Sequence, residues 1–113
     1  MFYRFLQTNP GGRFIVDDNL DRDVLIESNS HDEALNKAIS IGIYFDGIIK
    51  GLDCRCCSNR WSSILEDYNI FKSKEDFMLR FHFPNMRFTD TICIIHYIDG
   101  TKERITYESY LRE

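Results

Sequence analysis

Cys54-Arg55-Cys56-Cys57 places three thiols within four residues, and Arg60-Trp61 follows three residues later. Thiolates are preferred ligands of structural zinc, which takes four ligands in a tetrahedron. Cys54 and Cys56 can chelate one ion on an irregular backbone, and Cys57 adds a third ligand. Arg55 and Arg60 favour the thiolate form. The fourth ligand would have to come from Cys93, His96, His31 or His82. A second Cys-x-x-Cys pair, which completes the usual zinc signature, is missing. Zinc on Cys54, Cys56 and Cys57 therefore stands beside a second reading, reduced thiols packed in a tight turn.

The residues flanking the cysteines suggest ligand binding. Tyr44-Phe45 leads into the segment and Arg60-Trp61 leaves it. Aromatic rings stack on a base, and the planar guanidinium fork holds phosphate or carboxylate. Tyr44, Phe45, Arg60 and Trp61 are thus the candidate ligand-binding residues. Each has a plainer reading. Trp61 suits a core position over the cysteine loop, its indole N–H on a carbonyl. Arg60 suits a surface ion pair. His96 fits a cross-strand pair with Glu103, and His31 an exposed first helical turn. The chain shows no nucleophile elbow, no Gly-rich phosphate loop and no paired metal-binding carboxylates. The residues point to binding rather than catalysis.

These side chains need a scaffold. Phe2 to Gln7 is a short aromatic-rich strand, and Asn9-Pro10-Gly11-Gly12 is a strong turn signal. Arg13 to Asp17 then reads as the returning strand of a hairpin. Asp23-Val24-Leu25-Ile26-Glu27 is a third strand. Ser30-His31-Asp32-Glu33 is a capping box. It starts a helix over 31–41, with Ala34, Leu35, Ala38, Ile39 and Ile41 on one stripe and Gly42 as its stop. Ser73-Lys74-Glu75-Asp76 resembles a second start. Phe77, Met78 and Phe81 fit a helix, while Phe77, Leu79, Phe81 and Phe83 alternate like a strand; the cap favours a short helix ending before Pro84.

At the C-terminal end, Thr91–Ile98 and Thr101–Tyr107 flank Asp99-Gly100, a two-residue hairpin signal. That loop length would pair Ile98 with Thr101, His96 with Glu103, Ile94 with Ile105 and Ile92 with Tyr107 on the core face. Tyr97, Lys102 and Arg104 would share the other face. The expected fold is α+β. A small antiparallel sheet, made of an N-terminal hairpin, a third strand and a C-terminal hairpin, is packed by one capped helix. A cysteine-rich central loop and a short second helix complete it.

The chain of 113 residues has the length of a single domain, residues 1–113. A net charge of −4 disfavours binding to extended nucleic acid, which needs clustered Lys and Arg. It leaves room for one small anion. No apolar run approaches a membrane span, and Met1-Phe2-Tyr3-Arg4-Phe5 lacks the plan of a signal peptide. A cytosolic chain with reduced thiols is expected.

One stretch resembles a known group. Gly42-Ile43-Tyr44-Phe45-Asp46-Gly47, Gly51-Leu52-Asp53-Cys54-Arg55-Cys56-Cys57 and Arg60-Trp61 resemble a signature of small proteins of tailed bacteriophages. The opening Met1-Phe2-Tyr3-Arg4-Phe5, the helix start and the final Asp-Gly hairpin are similar too. Arg55 stands where that group carries Pro, and Ser58-Asn59 where it carries Gly-Asp, so the loop's turn does not carry over. The resemblance implies an accessory protein in the cytoplasm of an infected bacterium. Such a protein would neutralise a host defence component, by sequestering a small nucleotide signal or by blocking a host protein. A pocket near Tyr44, Phe45, Arg60 and Trp61, in one chain or between two copies, would serve sequestration. A zinc-stabilised cysteine-loop adaptor is the alternative, and a nucleotide hydrolase ranks below both.

Overall fold

Two apolar runs, Val24-Leu25-Ile26 and Ile92-Cys93-Ile94-Ile95, form the middle of the fold and are buried throughout. Strands covered on both faces read as continuous apolar runs rather than alternating ones. In a computed structural model of the chain they lie side by side and parallel, with Val24 opposite Ile94 and Ile26 opposite His96. The structure describes residues 1–8, 14–53, 59–63, 66–80, 87 and 89–111.

The elements are β1 (Phe2–Leu6), β2 (Asp23–Glu27), α1 (His31–Ser40), a 3-10 turn (Asp67–Asn69), β3 (Ile70–Phe71), α2 (Lys74–Arg80), β4 (Thr91–His96), β5 (Lys102–Thr106) and α3 (Tyr107–Leu111). The sheet runs β3-β1-β2-β4-β5. β1 is antiparallel to both β2 and β3, and β5 is antiparallel to β4. The domain is α+β, as expected, and its sheet is mixed because β2 and β4 run parallel.

Each face of the sheet carries its own core. Tyr3, Phe5, Val24 and Ile26 pack with Ala34 and Ala38 of α1 and with Leu20, Ile43, Phe45 and Trp61. Phe2, Leu25, Cys93, Ile95 and Ile105 pack with Phe71 and with Phe77 and Met78 of α2. Ser30 caps α1 by accepting the Glu33 amide at 3.2 Å. Ser73 does the same for α2, accepting from Asp76 at 3.0 Å, so the ambiguous stretch is helical over Lys74–Arg80. Ile39 lies outside the buried stripe of α1 and is exposed.

Two expected pairings differ. The turn at 9–12 lies outside the described residues, and 14–17 form no strand; β1 pairs with Asp23–Glu27 instead. The reason is Gln7. Its buried carboxamide accepts the Ile15 amide at 2.7 Å and donates to the Ile15 carbonyl at 2.9 Å. One side chain thus satisfies the backbone groups a returning strand would have paired. The second difference is at the C-terminal hairpin, where His96 faces Lys102 and Ile95 faces Glu103, one residue off the two-residue-turn register.

Candidate functional site

Asp53 organises the sequence-predicted site. Its carboxylate is almost fully buried. Oδ1 accepts the Tyr44 hydroxyl at 2.7 Å, and Oδ2 accepts the Arg60 amide at 2.9 Å. Arg60 Nε donates to the Tyr44 hydroxyl oxygen at 3.0 Å, and another guanidinium nitrogen donates to Gln7 Oε1 at 2.8 Å. Burial, then the Asp53 hydrogen bond, holds the Tyr44 phenol above its usual range, so it remains a donor at neutral pH.

This network closes the loop from Asp46 to Asp53. Asp46 adopts φ +58°, in the left-handed region. Leu52 and Asp53 both donate their amides to the Gly47 carbonyl, at 2.8 and 3.0 Å. Asn59 Oδ1 accepts the Ile48 amide at 2.9 Å. The loop's tip exposes Ile49 and Leu52.

Tyr44 and Arg60 therefore meet, but as partners of Asp53. Phe45 and Trp61 lie in the core on the α1 face, with Trp61 only 1% exposed. Trp61 is the core residue its plainer reading described, but among the described residues its indole nitrogen has no acceptor. Cys54, Cys56, Cys57 and His82 lie outside the described residues. Among the described residues no group of three His, Cys, Asp or Glu side chains could hold a metal ion. Cys93 sits in the core of the α2 face, on the other side of the sheet from Trp61. Burial, with Asp23 and Glu103 adding to it, pushes its thiol far up, so it stays protonated at neutral pH, unlike a zinc-ligating thiolate.

His31 keeps its plainer reading, whereas His96 does not pair with Glu103. His31 is exposed and stacks on Tyr3 at 6.4 Å between ring centres. His96 is buried and its Nε2 lies 2.8 Å from the Asn19 carbonyl oxygen. Burial lowers its pKa, so the neutral ring donates there. The expected Tyr97–Lys102–Arg104 patch is split. Tyr97 donates to Glu103 at 2.7 Å on one face, while Lys102 and Arg104 bind Asn19 and Asp21 on the other.

A second site lies at the sheet edge. β3 pairs with β1 only at Phe2 and Tyr3. Farther along, the Thr8 amide donates to the Arg60 carbonyl at 2.9 Å. Between these contacts β1 faces the 3-10 turn, and a notch lies beside it. A cavity of about 330 Å³ there is lined by Arg4, Leu6, Thr8, Ser62, Glu66, Tyr68 and Asn69. A second, of about 260 Å³, shares Arg4 and Tyr68 and extends to Phe71, Phe77 and Arg80. Arg4 is fixed through Nε on the buried Asp23 carboxylate. Arg80 stacks over the Phe71 ring at 4.1 Å and donates to Ile70 and Asp76. The sequence carried no signal for this notch, because its lining comes from segments some sixty residues apart, joined by a two-residue strand.

Fold and site define a small α+β domain with a loop pinned by a buried polar network and a ligand-sized notch at its sheet edge. No helix among the described residues is long and apolar enough to cross a membrane. The chain belongs to the domain-of-unknown-function family DUF7296, whose profile matches residues 1–112. No curated protein and no solved structure matches it.

Proposed function

We propose that the chain is a phage accessory protein that neutralises a component of bacterial defence by holding a small nucleotide signal in the host cytoplasm without turning it over. The notch carries this reading. It has the volume of a small-molecule site and mixes rings with a few fixed polar groups, as such sites do. Of the residues singled out from the sequence, Tyr44 and Arg60 support it indirectly: with Asp53 they tie the neighbouring loop to Gln7, just past the end of β1.

Isothermal titration with cyclic mononucleotides, cyclic dinucleotides and ADP-ribose derivatives tests the proposal. Binding heat with the ligand recovered intact is expected; no heat from any of them sinks it.

A second reading, obstruction of a host protein, rests on the loop tip. Ile49 is 87% and Leu52 60% exposed on a loop whose base is fixed by Asp53. A rigid apolar projection suits an apolar pocket on a protein partner. In this case Ile49→Asp with Leu52→Asp would abolish a complex formed by the parent chain in bacterial lysate, while the folded state, read by circular dichroism, is kept. The zinc adaptor reading rests on Cys54, Cys56 and Cys57 and is decided by metal analysis of the purified protein: about one equivalent supports it, and a trace removes it.

A further inference from the structure

We infer that the edge notch is a nucleobase site in which the backbone of Leu6 reads the base and Tyr68 stacks on it. The inference rests on the sequestration reading and places its ligand.

Backbone alternation in β1 supplies the first part. Met1 exchanges backbone hydrogen bonds with Ser28, and the Gln7 amide donates to Arg22. Odd-numbered residues of β1 therefore bond toward β2. Even-numbered residues direct N–H and C=O to the opposite side. There Phe2 faces Phe71 and Thr8 bonds Arg60. Leu6 lies between them, opposite the 3-10 turn, and its outward N–H and C=O meet no partner among the described residues. A donor and an acceptor thus stand side by side on a wall of the cavity.

That pair matches the edge of a nucleobase, which sets a ring or carbonyl acceptor beside an N–H donor. An extended peptide would use the same groups, but it needs an edge open at its ends. This one is closed by β3 at one end and by the Thr8–Arg60 bond at the other. From Arg4 to Thr8 the strand advances about 13 Å. The opening takes a compact flat group, not a through-running strand.

The walls suit a flat ring. Tyr68 is 67% exposed and borders both cavities. Bases stack on tyrosine rings and guanidinium planes while their edges are hydrogen-bonded. Asn69 and Glu66 line the notch beside Leu6 and add an amide and a carboxylate for exocyclic groups. The charge balance favours the base over the phosphate as the recognised part. Arg4 is paired with Asp23 and Arg80 with Asp76, and Glu66 adds a negative charge.

Amide-resolved NMR titration tests the site. Adenosine, cytidine, guanosine and uridine are added separately, with ribose and inorganic phosphate as controls. The inference expects the Leu6 and Asn69 amides to shift with at least one nucleoside and with neither control. Tyr68→Ala, at an exposed position, should weaken that nucleoside about tenfold. Leu6→Pro removes the reading N–H at an edge position that β2 does not use and should weaken it further. Shifts centred on Tyr44 and Arg60 would overturn the notch while keeping sequestration. Leu6 shifts with ribose or phosphate alone would overturn the base. No shift with any nucleoside also overturns it; sequestration then falls too only if the cyclic nucleotides and ADP-ribose derivatives give no heat.

Discussion

Asp53 and Gln7 show how a few polar side chains hold an irregular segment in one shape. Asp53 accepts two hydrogen bonds inside the protein, and its carboxylate sits directly against Gly47. A Cβ at Gly47 would collide with that carboxylate and lie 2.8 Å from Tyr44 Cε2. Because Tyr44 and Arg60 fix the carboxylate, it cannot swing away. Gly47→Ala should therefore cost about 1–3 kcal/mol. Asp53→Ala would leave the Tyr44 hydroxyl and the Arg60 amide without their acceptor, about 1–3 kcal/mol for each group left unsatisfied. Tyr44→Phe removes only the bridge and should cost about 1 kcal/mol. Urea unfolding followed by fluorescence of Trp61, the only tryptophan, measures all three. A Tyr44→Phe loss equal to that of Asp53→Ala would refute the carboxylate as the centre. Gln7 does similar work on the other side of Arg60. It donates to the Ile15 and Asp21 carbonyls and accepts from Ile15 and Arg60. Nothing in a lone glutamine announces this, and so Ile15 was expected in a strand.

At the scale of elements, the C-terminal hairpin shows what local signals convey. Asp99-Gly100 correctly marked a turn between two strands. The loop, however, holds three residues: the Tyr97 amide donates to the Thr101 carbonyl, with Gly100 at φ +91°. This is the glycine-closed three-residue loop that follows a type I turn. Asp99 stabilises it by accepting from the Thr101 amide and hydroxyl at 2.9 and 2.6 Å. One added residue shifts the register and so changes every cross-strand partner. His96 consequently meets the Asn19 carbonyl rather than Glu103. Burial holds this imidazole below the ordinary value, and nearby Lys37 and Lys102 act in the same direction. The unfolded chain would take up a proton near pH 6.5. His96 therefore contributes stability that is fully present above that value. It is lost as pH falls from about 6.5 toward the lower folded value. Thermal midpoints should drop through this window, and His96→Gln should flatten the drop; an unchanged slope in the variant would show that another group titrates. The helices were more legible, because Ser30 and Ser73 bond the amides three residues on, as their spacing implied. The notch was not legible, because strand order, unlike a cap, is settled by contacts between distant segments.

Over the whole molecule, β2 joins the two cores, with β4 paired alongside it. Val24 and Ile26 face α1 while Leu25, between them, faces α2; beside them in β4, Ile94 lies opposite Val24 and Ile95 packs in the α2-face core. A strand whose alternate residues serve opposite cores cannot loosen on one face alone, so the two layers should unfold as one unit. Phe77 offers the test. It packs edge-on against Phe71 at 5.1 Å on the α2 face, and Trp61 reports from the α1 face. Phe77→Ala removes a buried ring and should cost about 3–5 kcal/mol. If the layers are coupled through β2, the Trp61 fluorescence midpoint in urea falls together with the far-ultraviolet circular dichroism midpoint. If the α2 layer melts separately, Trp61 keeps its original midpoint while circular dichroism shows an earlier step. The result also bears on binding, since Phe71 and Phe77 line the inner end of the notch. In a coupled molecule, a ligand held there would raise the midpoint seen by Trp61, although Trp61 lies on the other side of the sheet.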